Sequence, residues 1–179
     1  MLQLFALLVT VVSSAAVVPV ADADAGYPKE GVYFGSKTSA VLSSYLTALI
    51  KPGRVIDMRI DYKMGPLQRQ LLAAFDVPFT MNGADIILDR ATFTAVVAET
   101  NKNLGVLLTS LGYTTSPEKI FTSYDPEDES VRIKVFPLSG KDPIMNVRAV
   151  LYDDKAIDSF DLRTTSSVQV AEDLAPADV

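Results

Sequence analysis

Hydrophobic and charged side chains alternate most regularly along the chain between residues 54 and 64. The apolar positions lie two apart, and the charged positions between them alternate in sign. The two sets are Ile56, Met58, Ile60, Tyr62 and Met64, and Asp57, Arg59, Asp61 and Lys63. A period of two residues is typical of a strand with one buried and one solvated face. The pattern therefore predicts a strand over 54–64 whose charged face lies in water.

The segments on both sides of this strand have the spacing of short helices. One face of 39–50 and one face of 66–75 collect the apolar residues, which are Val41, Leu42, Tyr45, Leu46, Leu49 and Ile50 in the first and Leu67, Leu71, Leu72 and Phe75 in the second. Lys51-Pro52-Gly53 would end the first helix, and Pro66 suits the first position of the second. We therefore predict helices over 39–50 and 66–75.

Residues 84–113 fit two different patterns. Apolar residues at helical spacing, with Gly112 after the last turn, favour a helix. The runs rich in Thr, Val and Leu on either side of Asn101-Lys102-Asn103 fit a hairpin instead. We predict the helix and keep the hairpin as the alternative.

The last third of the chain is typical of strands. Three runs, 131–136, 147–152 and 156–163, follow a loop over 114–130. Asp153-Asp154-Lys155 is a good turn between the last two runs and predicts a hairpin. Together with 54–64, these runs predict an antiparallel sheet of at least four strands.

These elements predict an α+β fold, in which an antiparallel sheet of four or more strands carries two or three helices. If 84–113 is a hairpin, the alternative is an all-β sandwich or jelly roll. The chain divides into an N-terminal hydrophobic segment, 1–25, a single globular domain, 26–163, and an acidic flexible tail, 164–179.

The N-terminal segment indicates where the protein works. Residues 2–20 carry no charged side chain and lead into a stretch of small residues and aspartates, which is typical of a secretory signal peptide. No Lys or Arg precedes the run, and its second half is rich in valine, so the alternative is an assembly arm that inserts into a neighbouring subunit. A membrane span is disfavoured because polar residues and Pro19 interrupt the run. We expect a secreted or periplasmic protein, or alternatively a virion component.

The composition limits the chemistry that the protein can perform. Its 179 residues include no Cys, His or Trp, and the formal net charge is −6. The absence of Cys and His excludes disulfides, thiol nucleophiles, Ser-His-Asp triads and the usual zinc sites. The acidic balance without basic runs disfavours nucleic-acid binding and, after processing, membrane binding.

Four carboxylates in five residues form the densest polar cluster, just ahead of the run 131–136. They are Asp125, Glu127, Asp128 and Glu129. Carboxylate oxygens are the ligands that Ca²⁺ prefers, although the spacing is not that of an EF-hand loop. Calcium is therefore the one cofactor that the sequence suggests, and a solvated acidic turn is the simpler interpretation.

Three aromatic residues, Tyr27, Tyr33 and Phe34, lie in a glycine-rich entry loop over 26–37. Exposed aromatic side chains on a loop are typical anchors for a protein partner, whereas covering the edge of the core is the alternative role.

A second acidic group comprises Asp153, Asp154, Asp158 and Asp161. Turn chemistry explains this group more simply than catalysis does.

We therefore expect a non-enzymatic binding or interaction protein that works through a protein partner or self-assembly. The first alternative is a structural assembly subunit, such as a virion capsid or surface-layer protein with ordered terminal arms. The second alternative is a carboxylate-based hydrolase, which requires a buried pair of Asp or Glu side chains in a cleft.

Overall fold

Eight strands follow one another along the chain and close into an antiparallel barrel. The structure is a computed structural model, and it describes residues 26–38, 43–103, 114–153 and 161–174. In these ranges the strands are β1 (Gly31–Thr38), β2 (Ser43–Lys51), β3 (Val55–Met64), β4 (Leu67–Asn82), β5 (Asp85–Leu88), β6 (Ile120–Asp125), β7 (Ser130–Val135) and β8 (Met145–Asp153). The helices are α1 (Arg90–Asn103) and α2 (Ser167–Leu174), and a 3₁₀ turn covers Pro117–Lys119.

Each strand pairs with the next in sequence, and β1 pairs with β8 to complete the ring. Closure satisfies the backbone groups that an open sheet would leave at its edges. The interior is filled by apolar side chains from all eight strands, including Leu46, Ile60, Ile133 and Val147. Burial of these side chains is the main force that holds the barrel together.

A second layer covers part of the outer wall. Helix α2 packs on β2 and β3, and its residues Val168 and Val170 are buried there. Leu162 joins Val32 and Leu49 in a separate small apolar cluster. Part of the region predicted as an acidic tail, 164–179, is therefore this helix; residues 175–179 lie outside the described ranges.

The prediction of an α+β fold is wrong, because a single sheet closes on itself and is accompanied by two short helices in the described ranges. The all-β alternative also named another architecture, since a sandwich or jelly roll consists of two packed sheets. The strand predicted over 54–64 is confirmed as β3, and the runs 131–136 and 147–152 correspond to β7 and β8.

The predicted helix 39–50 is wrong over its described part, which belongs to β2. The strand is buried on both faces, with Leu46, Ala48 and Ile50 in the barrel and Thr47 and Leu49 under the outer layer. A strand of this kind has a nearly continuous apolar run, and its residues match helical spacing as well as strand spacing. Residues 39–42 lie outside the described ranges.

The predicted helix 66–75 is also wrong, because these residues begin the long strand β4. Pairing along β3 outweighs the helical propensity of the Leu- and Ala-rich sequence.

For 84–113, neither the predicted helix nor the alternative hairpin describes the whole segment. Residues 85–88 form β5, and residues 90–103 form α1. Residues 104–113 lie outside the described ranges.

Two strands lie in regions that were predicted to be loops. The predicted entry loop contains β1, and the predicted loop 114–130 contains β6. Of the predicted strand 156–163, only 161–163 are described, and they are not in a strand. Its partner turn at Asp154 and Lys155 lies outside the described residues.

Candidate functional site

The barrel wall is weakest where β5 meets β6. Two residue pairs join these strands, Asp85 with Ser123 and Ile86 with Thr122, whereas every other pair of neighbouring strands shows at least three. If the pairing continued in the same register, Ile87 would pair with Phe121 and Leu88 would pair with Ile120. These residues are not paired with each other, so the wall opens into a seam.

Local turn chemistry explains why the two strands part. Asp89 follows β5 and caps α1, because its carboxylate Oδ2 accepts hydrogen bonds from the backbone N–H of Thr92 at 2.9 Å and from the Thr92 hydroxyl at 2.7 Å. These hydrogen bonds lower the pKa of Asp89. On the other side, the Ile120 N–H donates to the carbonyl of Pro117 in the 3₁₀ turn instead of to β5.

The end of α1 is fixed beside this turn by one asparagine. The Asn101 side chain donates to the Thr115 carbonyl at 2.7 Å and accepts from the Thr115 N–H at 3.1 Å. The Thr115 hydroxyl in turn donates to the Phe136 carbonyl at 2.7 Å. The helix, the 3₁₀ turn and the end of β7 are thereby held together around the seam.

The opened seam forms a cleft of about 280 Å³, lined by residues of β5, α1, the 3₁₀ turn and β6. Ile86, Phe93 and Ile120 are its buried apolar residues. Ile87 and Phe121 are 48% and 55% exposed, and both line the cleft, so they form its apolar margins. The Phe121 ring also meets that of Phe136 edge to face, with centroids 5.6 Å apart.

Three polar groups accompany this apolar surface. The hydroxyl of Thr122 is buried and has no hydrogen-bond partner among the described residues. Arg90 and Glu118 form an ion pair across the cleft, from the start of α1 to the 3₁₀ turn. Hydrogen bonds from its own backbone N–H and from Ser116, together with Arg90, lower the pKa of Glu118. Both partners of this pair are more than half exposed, so the pair contributes little stability.

The acidic loop predicted as a calcium site does not gather its carboxylates. Asp125 accepts a hydrogen bond from the N–H of Glu127, Asp128 pairs with Arg148, and Glu129 pairs with Lys29. Among the described residues, no group of three or more acidic side chains is arranged to hold a metal ion. The geometry of this loop gives no support to calcium binding, which stays a prediction.

The three aromatic residues proposed as partner anchors are separated by the fold. Tyr33 is completely buried in the barrel, where its hydroxyl donates to the Lys29 carbonyl at 3.0 Å. Burial, together with the neighbouring Tyr124, raises the pKa of Tyr33 far above its ordinary range. Tyr27 and Phe34 are half-buried, and Tyr27 packs against the core.

Among the described residues, the two buried carboxylates do not form the pair that a hydrolase would need. Asp57 and Asp61 are buried on β3, but four residues along a strand separate their Cα atoms by about 13 Å. Each is engaged by a cation, Lys51 at 2.5 Å for Asp57 and Arg59 at 2.9 Å for Asp61. The prediction that the charged face of this strand lies in water is therefore wrong.

Of the second acidic group, Asp154 and Asp158 lie outside the described residues. Asp161 is exposed and accepts a hydrogen bond from the N–H of Arg163 at 3.0 Å.

No seam residue was singled out from the sequence. Ile87 and Phe121 look like ordinary strand residues, and their exposure depends on where β5 and β6 separate. The signal that the sequence did contain is Ser116-Pro117-Glu118-Lys119, since Pro117 indicates a break just before β6.

Helices that are long and apolar enough to cross a bilayer do not occur within the described ranges. Comparisons with protein-family models, with characterised proteins and with solved structures find no match for this chain.

Proposed function

We propose that this protein is a non-enzymatic interaction protein and that its β5–β6 seam binds an extended apolar segment of a partner polypeptide. The observation that carries the proposal is the separation of β5 and β6. The two strands pair at Asp85 and Ile86, but the end of β5 and the start of β6 remain unpaired with each other. Strand ends of this kind accept an added strand through main-chain hydrogen bonds.

The side chains at the seam favour the same class of partner. The cleft has a buried apolar floor and exposed apolar margins, and its volume suits one or two large side chains. An extended segment presents every second side chain to one surface, so a Phe, Ile or Val could enter the cleft while its neighbours remain in solvent. The Thr122 hydroxyl supplies a hydrogen-bonding group near the floor.

Composition supports a role in binding rather than catalysis. The chain has neither His nor Cys. In the described part of the chain, the buried carboxylates Asp57 and Asp61 are engaged by Lys51 and Arg59, away from the seam. The apolar segment 2–20 supports a secreted or periplasmic location.

The test is selection from a displayed library of linear peptides on the immobilised protein. We expect enrichment of peptides with aromatic or β-branched residues at alternate positions. Phe121→Ser is expected to weaken their binding by about 30-fold, the cost of losing one central aromatic contact. Tyr152→Ser is the matched control, because Tyr152 is 54% exposed on β8 and does not line the cleft. Equal binding to both variants, or no enrichment, would refute the proposal.

A second candidate is the assembly subunit, with the bound segment supplied by another copy of this chain. The observation that favours it is the apolar, valine-rich segment 2–20, which has the composition that the seam would take. A synthetic peptide of these residues should then bind in a manner that depends on Phe121, and the full chain should form large oligomers by light scattering. A monomeric full chain would exclude this candidate and leave the first one standing.

A further inference from the structure

The buried hydroxyl of Thr122 lies at the floor of the seam cleft, in apolar surroundings. Thr122 is 4% exposed, lines the cleft, and forms with Ile86 the last residue pair that joins β5 to β6. Its neighbour on the other side, on β7, is Ile133, which is completely buried. Both flanking side chains are hydrocarbons, and no described residue gives the Thr122 hydroxyl a hydrogen bond.

A hydroxyl at this position is unfavourable for folding alone. A buried hydroxyl without a hydrogen bond destabilises the folded state, because it has lost its contacts with water. Valine would fill the same space with a methyl group, suits a strand equally well and avoids this cost. The Thr122 hydroxyl is therefore an exception among buried polar groups, and a ligand group that reaches the floor of the cleft would supply its missing hydrogen bond.

The walls of the cleft limit the kind of ligand group that can reach this hydroxyl. They include the apolar side chains of Leu88, Phe93 and Ile120, among which a full charge would lose its hydration. The charged residues that line the cleft, Arg90 and Glu118, already pair with each other. The group that fits is therefore neutral, with an apolar body and a hydrogen-bonding atom at its tip.

We propose that the seam selects tyrosine as the anchor residue of the partner segment, in preference to phenylalanine, isoleucine or valine. This inference rests on the proposed function of the seam. A tyrosine ring supplies the apolar body, and the phenol at its far end both donates and accepts hydrogen bonds. The Thr122 hydroxyl has the same capacity, so the two groups form one hydrogen bond at the floor of the cleft.

This selectivity separates the two candidate partners. Segment 2–20 of this chain contains no tyrosine, so it lacks the anchor that the seam selects. A preference for tyrosine therefore favours a different polypeptide over a second copy of this segment.

The probes are p-cresol and toluene, the side-chain analogues of tyrosine and phenylalanine, followed through the amide chemical shifts of the full chain. We expect both compounds to shift the amides of Ile87, Phe121 and Thr122. The quantity that tests the proposal is the ratio of the two affinities, because burial of the ring is common to both compounds and only p-cresol has a hydroxyl.

Thr122→Val is the decisive variant, because valine keeps the shape of the side chain and removes its hydroxyl. We expect it to lower the affinity for p-cresol relative to toluene by about fivefold, the usual contribution of one hydrogen bond. Thr47→Val is the matched control, since the Thr47 hydroxyl is also buried without a partner among the described residues but does not line the seam cleft. This variant should leave the ratio unchanged. A dispersed amide spectrum for each variant shows that it is folded.

Three results would overturn the inference: an unchanged affinity ratio in Thr122→Val, an equal change in Thr47→Val, or no amide shifts at the seam at millimolar p-cresol. Enrichment of linear peptides without tyrosine at the anchor position would also overturn it and would leave the proposed function standing. If p-cresol shows the expected ratio while no peptide is enriched, the phenol site stands and the proposed function fails.

Discussion

Gly35 lies where the backbone of β1 comes against that of β8. A Cβ atom at this position would lie 1.8 Å from the carbonyl oxygen of Arg148 and 2.7 Å from the Cα of Ala149. Both atoms belong to the backbone, so no side-chain rotation can relieve such a contact. The absence of a side chain at this one residue is therefore a condition for closing the barrel.

Replacing Gly35 by alanine should force β1 and β8 apart. We expect Gly35→Ala to lower the free energy of unfolding by about 3 kcal/mol, the upper range for overpacking a closely packed site. Urea unfolding measures this change. Ser36→Ala, the next and exposed position of the same strand, is the control and should change stability by less than about 0.5 kcal/mol. Similar unfolding midpoints for the two variants would contradict the role of Gly35.

At the scale of elements, the docking of α2 depends on a buried carboxylate. Oδ2 of Asp61 accepts hydrogen bonds from the Ser167 N–H at 2.6 Å and from Nε of Arg59 at 2.9 Å. Arg59 also donates to the Leu162 carbonyl at 3.2 Å, and the Ser167 hydroxyl donates to the Arg59 carbonyl at 3.0 Å. The first turn of α2 thus meets a negative charge from β3, which the helix dipole favours.

Asp61→Asn keeps the shape of the side chain but leaves the Arg59 charge without its carboxylate. We expect a loss of about 3 kcal/mol in the free energy of unfolding, because a buried ion pair is broken from one side. Proteolysis within 161–174 should also become faster. Glu172→Gln removes an exposed carboxylate from the same helix and should change neither property. Unchanged proteolysis in Asp61→Asn would show that apolar packing alone holds α2.

At the scale of the whole molecule, β5 and β6 form the shortest pairing between neighbouring strands of the described barrel. The β2–β3 and β3–β4 pairs extend over most of their lengths, whereas β5 and β6 share two residue pairs. Local opening requires the fewest lost contacts at this join. The short pairing of β5 and β6 therefore both opens the proposed binding site and makes this part of the wall the least stable.

Hydrogen exchange measures this difference directly. We expect the amides that β5 and β6 share, including that of Tyr124, which donates to the Ala84 carbonyl at 2.8 Å, to exchange faster than those between β2 and β3. A seam-binding peptide should slow the exchange of the first group selectively. Equal protection of the two joins in the free protein would contradict the weak-join interpretation.

Local signals predicted some elements well and failed where tertiary packing decides. β3, β7 and β8 were predictable because their own alternation or β-branched content indicates strands. β2 was not, because the barrel interior and the outer layer bury both of its faces and remove the alternation. The seam was not predictable either, because exposure of Ile87 and Phe121 depends on two strands that are 34 positions apart in sequence.

The sequence by itself determined the chemistry that is excluded, since the absence of Cys and His needs no structure, and it determined the strands whose pattern is local. Only the tertiary structure decided that the sheet closes, that Asp57 and Asp61 are buried, and that β5 and β6 part to form a cleft. The physical reason is that side-chain periodicity records the two faces of a strand, whereas closure and burial depend on contacts between residues that are far apart along the chain.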